Sequence, residues 1–259
     1  MSPDLILEAL KALLLGVVEG ITEWLPISST GHMILVDEFV QLNVSPNFLE
    51  LFLVVIQIGS IMAVIISFRH KLNPVSRTKD EGERRKTWRM WGMVEKPIGK
   101  HGRVEAIDPN DPEAVDKALF KITDPYEMDW KTALKIGCFE VLAIIPGTSR
   151  SGATIIGGML CGCSRTAAAE FTFFLAIPVM FGWGLVKAVK FFLDGIAMTQ
   201  TEIVVLVVGI LSAFVMGMIA IRFLMGYIKQ NDFTVFGVYR IIIGLIVLGY
   251  FGTKALGLM

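Results

Sequence analysis

The sequence predicts an all-α integral membrane protein. Of its 259 residues, 54% are hydrophobic and 19% are charged, and the mean hydropathy is +0.63. Soluble domains are less apolar and carry about 25% charged residues. A helix of about 20 apolar residues crosses a bilayer core, and the chain contains several such runs, some intact and some broken by polar residues. These observations disfavour a soluble globule and exclude a disordered chain and a coiled coil.

The first apolar stretch, Leu5–Phe39, is broken in its middle. Glu19, Glu23 and Pro26 interrupt it, and the polar run Ser28–His32 follows. Irregular backbone is tolerated at membrane depth only where it is buried in protein or faces a water-filled cavity. We therefore expect two half-helices that meet at a loop, forming a re-entrant hairpin.

The next run, Leu51–Phe68, carries no charge and is long enough for a full span. With the hairpin it forms a predicted first repeat, residues 1–68. In the polar segment 69–130 that follows, basic residues outnumber acidic ones as far as Arg103. The positive-inside rule places this segment in the cytoplasm, and we expect a mostly irregular loop.

A second broken stretch, Ala133–Cys163, contains Glu140, Pro146 and the polar run Thr148–Gly152. It predicts a second re-entrant hairpin at the start of a second repeat, residues 131–259. Three further full spans follow it: Phe171–Leu193, Ile203–Ile221 and Phe233–Thr253. The prediction is therefore two hairpins and about four full transmembrane helices.

The two broken stretches share an order of Gly, Glu, Pro, Ser and Gly, followed by a glutamate where a span begins. Pro26 and Glu50 are as far apart in the chain as Pro146 and Glu170. With the basic loop inside, the first hairpin enters from outside and the second from inside. The sequence therefore predicts an inverted repeat whose hairpin tips meet near the membrane midplane.

Glu19 and Glu23 lie on one helical face within an apolar segment. A charged residue at membrane depth costs about 2.5–3.5 kcal/mol on insertion scales, so the pair needs a cation, a proton or an arginine. Such a pair fits divalent-cation binding or general acid and base work. The alternative is two carboxylates that cap a helix in a wet crevice.

The hydroxyls of Ser28, Ser29 and Thr30 either cap the helix that begins near Gly31 or take part in chemistry with His32. A single buried histidine is more often structural than catalytic. Here the carboxylates, hydroxyls and imidazole lie close together in the sequence, which makes a nucleophile, a base and an orienting group available.

The second hairpin loop, Pro146–Thr154, combines glycines and hydroxyls with Arg150. It opens the half-helix Ala153–Cys163, whose N-terminal amides form an anion cradle. Arg150 adds a planar fork that suits two phosphate oxygens. The alternative is an arginine that reaches a lipid headgroup. Together the hairpins predict a phosphate site with acid and base groups opposite it.

The run Glu19–His32 resembles the glutamate-rich motif of the bacterial undecaprenyl-diphosphate phosphatases, also called bacitracin-resistance proteins. The run Pro146–Thr154 resembles the second motif of that family. Both motifs are long and specific. The likeness covers about residues 1–91 and 93–259.

The resemblance implies a multi-pass enzyme of the bacterial plasma membrane. It removes the terminal phosphate of the C55 isoprenyl diphosphate, which recycles the lipid carrier for cell-wall synthesis and confers bacitracin resistance. The resemblance further implies a site that opens to the outer face and is helped by a divalent cation, Mg²⁺ or Ca²⁺.

The resemblance also implies roles for individual residues. The catalytic candidates are Glu19, Glu23, Ser29, His32 and Arg150, of which Glu19 and Glu23 are also the metal candidates. The substrate-binding candidates are Ser28, Thr30, Gly147, Ser149, Arg150, Ser151 and Thr154. Whether Ser29, His32 or water attacks phosphorus is left open, as is the identity of the cation.

The middle region is shorter than the family pattern. Family members normally have two further spans after the first full one, whereas here Trp91 is followed almost directly by the Glu95–Lys96 linker. Because an antiparallel pair is missing, every later segment keeps its orientation. We therefore expect that the motifs still face each other.

Two other functions stay open at this point. One is a flippase or transporter for a lipid phosphate, because inverted repeats with broken helices are transporter architecture. The other is an inactive, shortened remnant of the phosphatase. The expected partner is the polyprenyl diphosphate lipid. The net charge of +0 gives no global attraction to nucleic acid, and a homodimer is left open.

Overall fold

The computed structural model describes residues 3–73, 79–90, 119–145 and 147–256. Within these residues the protein is all-α, with an isolated bridge between Ile122 and Cys163 as its one extended pairing. The α-helices are α1 Pro3–Thr22, α2 Ser29–Phe39, α3 Pro46–Ser67, α4 Arg69–Leu72, α5 Glu81–Met90, α6 Trp130–Glu140, α7 Arg150–Leu160, α8 Arg165–Leu193, α9 Gln200–Tyr227 and α10 Thr234–Ala255.

The predicted all-α membrane class is confirmed. Helices α3, α8, α9 and α10 are the 4 described helices that are long and apolar enough to cross a membrane. They cover the four predicted full spans except for the end residues Phe68 and Phe233, so the chain is a multi-pass membrane protein. Two helix–loop–helix units, α1–α2 and α6–α7, occupy the two broken stretches. That these units re-enter the membrane, and the repeat boundaries 1–68, 69–130 and 131–259, remain predictions.

Both second half-helices begin earlier than the sequence suggested. Helix α2 begins at Ser29 rather than near Gly31, since the Ser28 hydroxyl accepts the Gly31 N–H at 3.4 Å. Helix α7 begins at Arg150 and ends at Leu160, because the Ser149 hydroxyl accepts the Gly152 N–H at 3.1 Å. A capping hydroxyl precedes the amides that it satisfies by about one turn, so each helix starts inside the polar motif.

The expectation of a mostly irregular middle loop rested on residues 108–112, which lie outside the described residues, whereas helix α5 occupies an earlier part of that segment. The Asp80 carboxylate accepts the Glu83 N–H at 2.7 Å, and two glutamates in the first turn complement the helix dipole. Residues 74–78 and 91–118, which include the Glu95–Lys96 linker, lie outside the described residues.

Helix α9 packs against both α1 and α3 through small residues. An added Cβ at Gly16 or Gly20 of α1, or at Gly59 of α3, would overlap α9 backbone atoms. Between membrane helices there is little hydrophobic driving force, so close backbone approach supplies the dispersion contacts that hold them together. These glycines therefore fix the spacing of the helices that carry the first hairpin.

Gly59→Ala is expected to destabilise the protein by about 1–3 kcal/mol, because the new methyl group meets the Ile210 carbonyl, which cannot rotate away. The matched control is Gly226→Ala in α9, where an added Cβ has open space. Thermal unfolding in detergent measures both. Equal melting temperatures for the two variants would contradict the packing described here.

Helices α3 and α8 run antiparallel and are joined at both ends by ion pairs. Glu50 near the start of α3 lies 3.2 Å from Lys187 near the end of α8. Glu170 near the start of α8 lies 2.6 Å from Lys71, just beyond α3. The two glutamates are the ones that the repeat pattern pairs, and each meets a lysine from the other half of the chain.

Helix α10 lies at the periphery of the bundle. In the most apolar 18-residue stretch of this helix, only 6% of the residues are buried. Its polar side-chain contacts are Tyr239 with His32, Arg240 with the Gly147 carbonyl, and Tyr250 and Lys254 with Glu38, and it also makes ring contacts through Phe236 with Tyr227 and Tyr250 with Phe39. This helix therefore exposes most of its surface to lipid while it contacts both hairpins.

Candidate active site

The first hairpin turns directly after its acidic pair. Helix α1 ends at Thr22, and the Glu23 N–H still donates to the Glu19 carbonyl at 3.0 Å, so both carboxylates leave the same helical face. The chain then reverses through a short turn to Ser28, which caps α2. This turn presents Glu23 and Ser29 on the same side.

An arginine, a carboxylate and a hydroxyl form the centre of the site. The Arg150 Nη2 donates to Glu23 Oε1 at 2.7 Å, and the Ser29 hydroxyl donates to Glu23 Oε2 at 2.5 Å. The side chains of Arg150 and Glu23 are 15% and 7% exposed. Arg150 therefore compensates the buried charge of Glu23, and both oxygens of that carboxylate have partners.

Two further contacts hold the hairpin tips together. The Ser151 hydroxyl donates to the Leu25 carbonyl at 3.3 Å, and it lies 3.1 Å from the Ser149 hydroxyl. The Arg150 guanidinium carbon lies 6.0 Å from the centre of the buried Trp24 ring, within cation–π range. Together with the Arg150–Glu23 hydrogen bond, these contacts join the two hairpins by two hydrogen bonds and one ring contact, which fix the relative position of the two motifs.

A cavity of about 220 Å³ opens beside this centre. It is lined by Glu23, Ser28, Ser29, Thr30, Gln57, Ala143, Thr148, Ser149, Arg150, Ser151, Val179, Met180 and Trp183. Gln57 and Met180 lie near the middle of α3 and α8, the two antiparallel spans. The polar cavity therefore lies about halfway along the transmembrane helices.

Four predicted site residues do not line the cavity. Glu19 is buried, and within the described residues its Oε1 has no hydrogen-bond partner. The Thr154 hydroxyl donates to the Arg150 carbonyl at 2.9 Å, so this hydroxyl is engaged within its own helix. Gly147 has a φ of +85° and forms the turn before α7. His32 faces α10 instead.

Both ring nitrogens of His32 have partners. Nδ1 lies 2.7 Å from the Ser28 carbonyl, and Nε2 lies 2.7 Å from the Tyr239 hydroxyl. A carbonyl only accepts, so Nδ1 carries the proton, and in the neutral ring Nε2 accepts from Tyr239. In this arrangement the imidazole is not directed at the cavity, which the sequence motif did not reveal.

Several residues near the site were missed at the sequence level. Gln57 is a polar residue inside an apolar span, a signal that was available but not used. Glu140 is the repeat counterpart of Glu19; its Oε1 is also buried without a partner in the described chain, and it lies within electrostatic reach of Arg150. Trp183 and Tyr239 gave no local signal, because apolar spans commonly contain aromatic residues.

The carboxylate pair fits a cation that is shared with a substrate. Glu19 offers a buried oxygen without a partner among the described residues, and it lies within electrostatic reach of Glu23. No group of three or more His, Cys, Asp or Glu residues that could hold a metal occurs in the described residues. Mg²⁺ often uses one or two carboxylates and completes its shell with water and phosphate oxygens. The chemistry of the two carboxylates therefore fits such a cation.

The Ser28 backbone is strained. Its φ of 72° and ψ of 95° lie where residues with a Cβ rarely occur, and such conformations cost about 1–3 kcal/mol. Strain of this kind persists only where surrounding contacts hold it, and it concentrates at functional sites. The carbonyl of Ser28 receives both the backbone N–H and the Nδ1–H of His32, at 3.3 and 2.7 Å.

Ser28→Gly is expected to be more stable than Ser28→Ala by about 1–2 kcal/mol, since glycine adopts this conformation without the steric cost. Both variants lose the capping hydroxyl, so their difference isolates the backbone strain. Thermal unfolding of the two proteins in the same detergent measures it. An alanine variant as stable as the glycine variant would show that the turn is not strained.

A second cavity, of about 1100 Å³, lies at the C-terminal end of α3, where the basic loop leaves the bundle. Its lining mixes cations such as Arg69, Lys71 and Arg222 with carboxylates such as Asp124 and Glu170. No predicted site residue lines it. Its volume is larger, but the predicted chemistry lies in the smaller cavity.

The fold and the site define a class: a multi-pass α-helical membrane protein with a buried arginine–carboxylate–serine centre between two helical hairpins. The chain belongs to the bacitracin resistance protein BacA family, whose model matches residues 12–97 and 110–246. The family expected from the two motifs is thereby confirmed.

Relatives of this family are closely similar along almost the whole chain. A Streptococcus suis (strain 05ZYH33) protein named undecaprenyl-diphosphatase is 45% identical over 273 positions, which cover 95% of this chain and 98% of the relative. Proteins with the same name from Streptococcus agalactiae (serotype V) and Enterococcus faecalis are 46% and 47% identical, with 95% and 93% of this chain covered and 97% and 96% of the relatives.

Proposed function

We propose that the protein hydrolyses undecaprenyl diphosphate to undecaprenyl phosphate and inorganic phosphate in the bacterial plasma membrane. This activity recycles the lipid carrier for cell-wall synthesis and gives resistance to bacitracin. The observation that carries the proposal is the Arg150–Glu23–Ser29 centre, which combines a cation for phosphate, a base and a hydroxyl in one cavity. Relatives that are at least 45% identical to this chain carry the name undecaprenyl-diphosphatase, which supports the proposal.

Arg150 is the proposed clamp for the diphosphate. A guanidinium has five N–H donors in a planar fork, and one of its nitrogens already holds Glu23. The hydroxyls of Thr30 and Thr148 also line the cavity and supply further donors for phosphate oxygens. Donors fixed in place before the reaction stabilise the charge that develops on phosphorus without reorganising.

Ser29 is the proposed nucleophile and Glu23 the base. The Ser29 oxygen attacks the terminal phosphorus and its proton passes to Glu23 Oε2, while the bond from that phosphorus to the bridging oxygen breaks and undecaprenyl phosphate leaves. Water then attacks the phosphoserine, the bond from phosphorus to the Ser29 oxygen breaks as that oxygen takes back the proton from Glu23, and inorganic phosphate is released. His32 is less suited to attack, because both of its nitrogens are engaged outside the cavity.

A divalent cation, Mg²⁺ or Ca²⁺, is proposed to be held by Glu19 and Glu23 together with the substrate. When bound, it would neutralise charge on the phosphate oxygens. The support is the buried Glu19 oxygen that has no partner in the described chain.

The site is proposed to open to the outer face of the membrane. The support is the positive-inside rule, which places the basic segment after α3 in the cytoplasm. Thr30, an exposed residue of the cavity lining, provides the test. In a variant without native cysteines, Thr30→Cys should react with a membrane-impermeant maleimide added outside intact cells; protection there, with labelling in inverted vesicles, would place the opening inside.

The deciding experiment is phosphate release from undecaprenyl diphosphate by the purified protein in detergent. Release that depends on Arg150 supports hydrolysis. In proteoliposomes, movement of the lipid without phosphate release would instead support a flippase. No phosphate release by a well-folded preparation, with or without Mg²⁺ and Ca²⁺, would support the inactive remnant.

A further inference from the structure

Helix α10 contacts the first hairpin through a residue for which the proposed reaction has no direct use. Tyr239 lies on this peripheral helix, and its hydroxyl is 2.7 Å from His32 Nε2. The two ring planes are 3° from parallel, with centroids 5.6 Å apart. A side chain of a peripheral helix is therefore one of the two groups that hold the imidazole in place.

His32 passes this constraint to the turn that precedes the proposed nucleophile. Its Nδ1–H and its backbone N–H both donate to the Ser28 carbonyl. Ser28 has a positive φ, so its conformation depends on such external contacts. Ser29 follows directly, and its hydroxyl donates to Glu23 at 2.5 Å.

We propose that Tyr239 is a positioning residue: through His32 it holds the strained Ser28 turn that presents the Ser29 hydroxyl to Glu23. The inference rests on the proposed function and extends it to the last helix. In this arrangement His32 supports the serine and does not react with phosphorus. The support comes from consecutive contacts that join Tyr239, His32, Ser28, Ser29 and Glu23.

The test compares Tyr239→Phe with Tyr250→Phe. The first variant keeps the ring and removes only the hydroxyl that holds Nε2. The second removes a hydroxyl of the same helix, which lies 3.5 Å from Glu38 Oε1 and outside the site. Tyr239→Phe is expected to lower kcat about tenfold with little change in KM, whereas Tyr250→Phe should keep the wild-type kcat.

A spectroscopic measurement separates positioning from a general loss of structure. The chain has 3 histidines, so replacing His70 and His101 with glutamine leaves His32 as the single source of imidazole signals after ¹⁵N-histidine labelling. In Tyr239→Phe the Nε2 resonance should move toward that of an unprotonated nitrogen that accepts no hydrogen bond. The Nδ1 resonance should stay that of a protonated nitrogen, because the Ser28 carbonyl remains.

A double variant tests the link to the strained turn. In a Ser28→Gly background the turn needs less support, so Tyr239→Phe should lower kcat only about twofold instead of about tenfold. An equal effect of Tyr239→Phe in both backgrounds would show that the tyrosine does not act through Ser28, and it would overturn the inference.

The outcomes distinguish this inference from the proposed function. If the wild-type protein releases no phosphate, the proposed function fails whatever the resonances show. If the wild type is active and Tyr239→Phe keeps both its kcat and its Nε2 resonance, only the positioning role of Tyr239 is refuted.

Discussion

Arg150→Ala is expected to lower kcat/KM for undecaprenyl diphosphate by about 10²–10³-fold, equivalent to about 2.7–4 kcal/mol of transition-state stabilisation. The guanidinium is both the proposed phosphate clamp and the cation that compensates Glu23 at 2.7 Å. Truncation removes the clamp and leaves a carboxylate that is 7% exposed without its cation, so stability falls as well.

Arg150→Lys separates the two effects. Lysine keeps the positive charge but replaces the fork with a single ammonium group, so we expect a folded protein whose activity lies between those of wild type and Arg150→Ala. The control is Arg222→Ala, which removes an exposed arginine that lines the other cavity and should leave activity unchanged. Phosphate release and thermal unfolding are measured on all three variants. Wild-type kcat/KM for Arg150→Ala would refute the clamp.

Glu23→Gln is expected to lower kcat by about 10²–10⁴-fold with a smaller change in KM, because the amide keeps the shape of the side chain but takes no proton from Ser29. Glutamine also removes the negative charge that Arg150 compensates. The fork then becomes more available to phosphate, so substrate affinity should not fall in parallel with kcat.

The matched control for Glu23→Gln is Glu202→Gln. Glu202 is also buried and accepts hydrogen bonds from Ser45 and Thr199, but it lies at the start of α9, outside the cavity. Its loss should lower thermal stability and leave kcat near the wild-type value. Steady-state kinetics decide: a Glu23→Gln enzyme with wild-type kcat would show that another group accepts the proton.

The spans and the composition of the site could be predicted from the sequence. An uninterrupted apolar run of sufficient length has few stable states other than a transmembrane helix, so α3, α8, α9 and α10 were predictable one at a time. Charged and hydroxyl residues inside apolar stretches are costly there, so Glu23 and Arg150 were recognisable from local sequence.

Helix starts and the middle loop were predicted less well. The helices α2 and α7 start inside the polar motifs because Ser28 and Ser149 act as caps. A local sequence pattern does not show whether such a serine caps a helix or binds substrate. The helix α5 is strongly polar, so it has no apolar stripe that would mark it as a helix in the sequence.

By itself the sequence determined that this chain crosses a membrane as helices and carries acidic, hydroxyl and guanidinium groups at two breaks, because insertion energies depend on local residue types. Only the tertiary structure decided which of these groups meet. The Arg150–Glu23 bond joins positions 127 apart in the chain, and His32 turns to Tyr239 on α10, across 207 positions. Such contacts depend on how each helix is rotated and how closely glycines such as Gly59 let the helices approach, and no single segment contains that information.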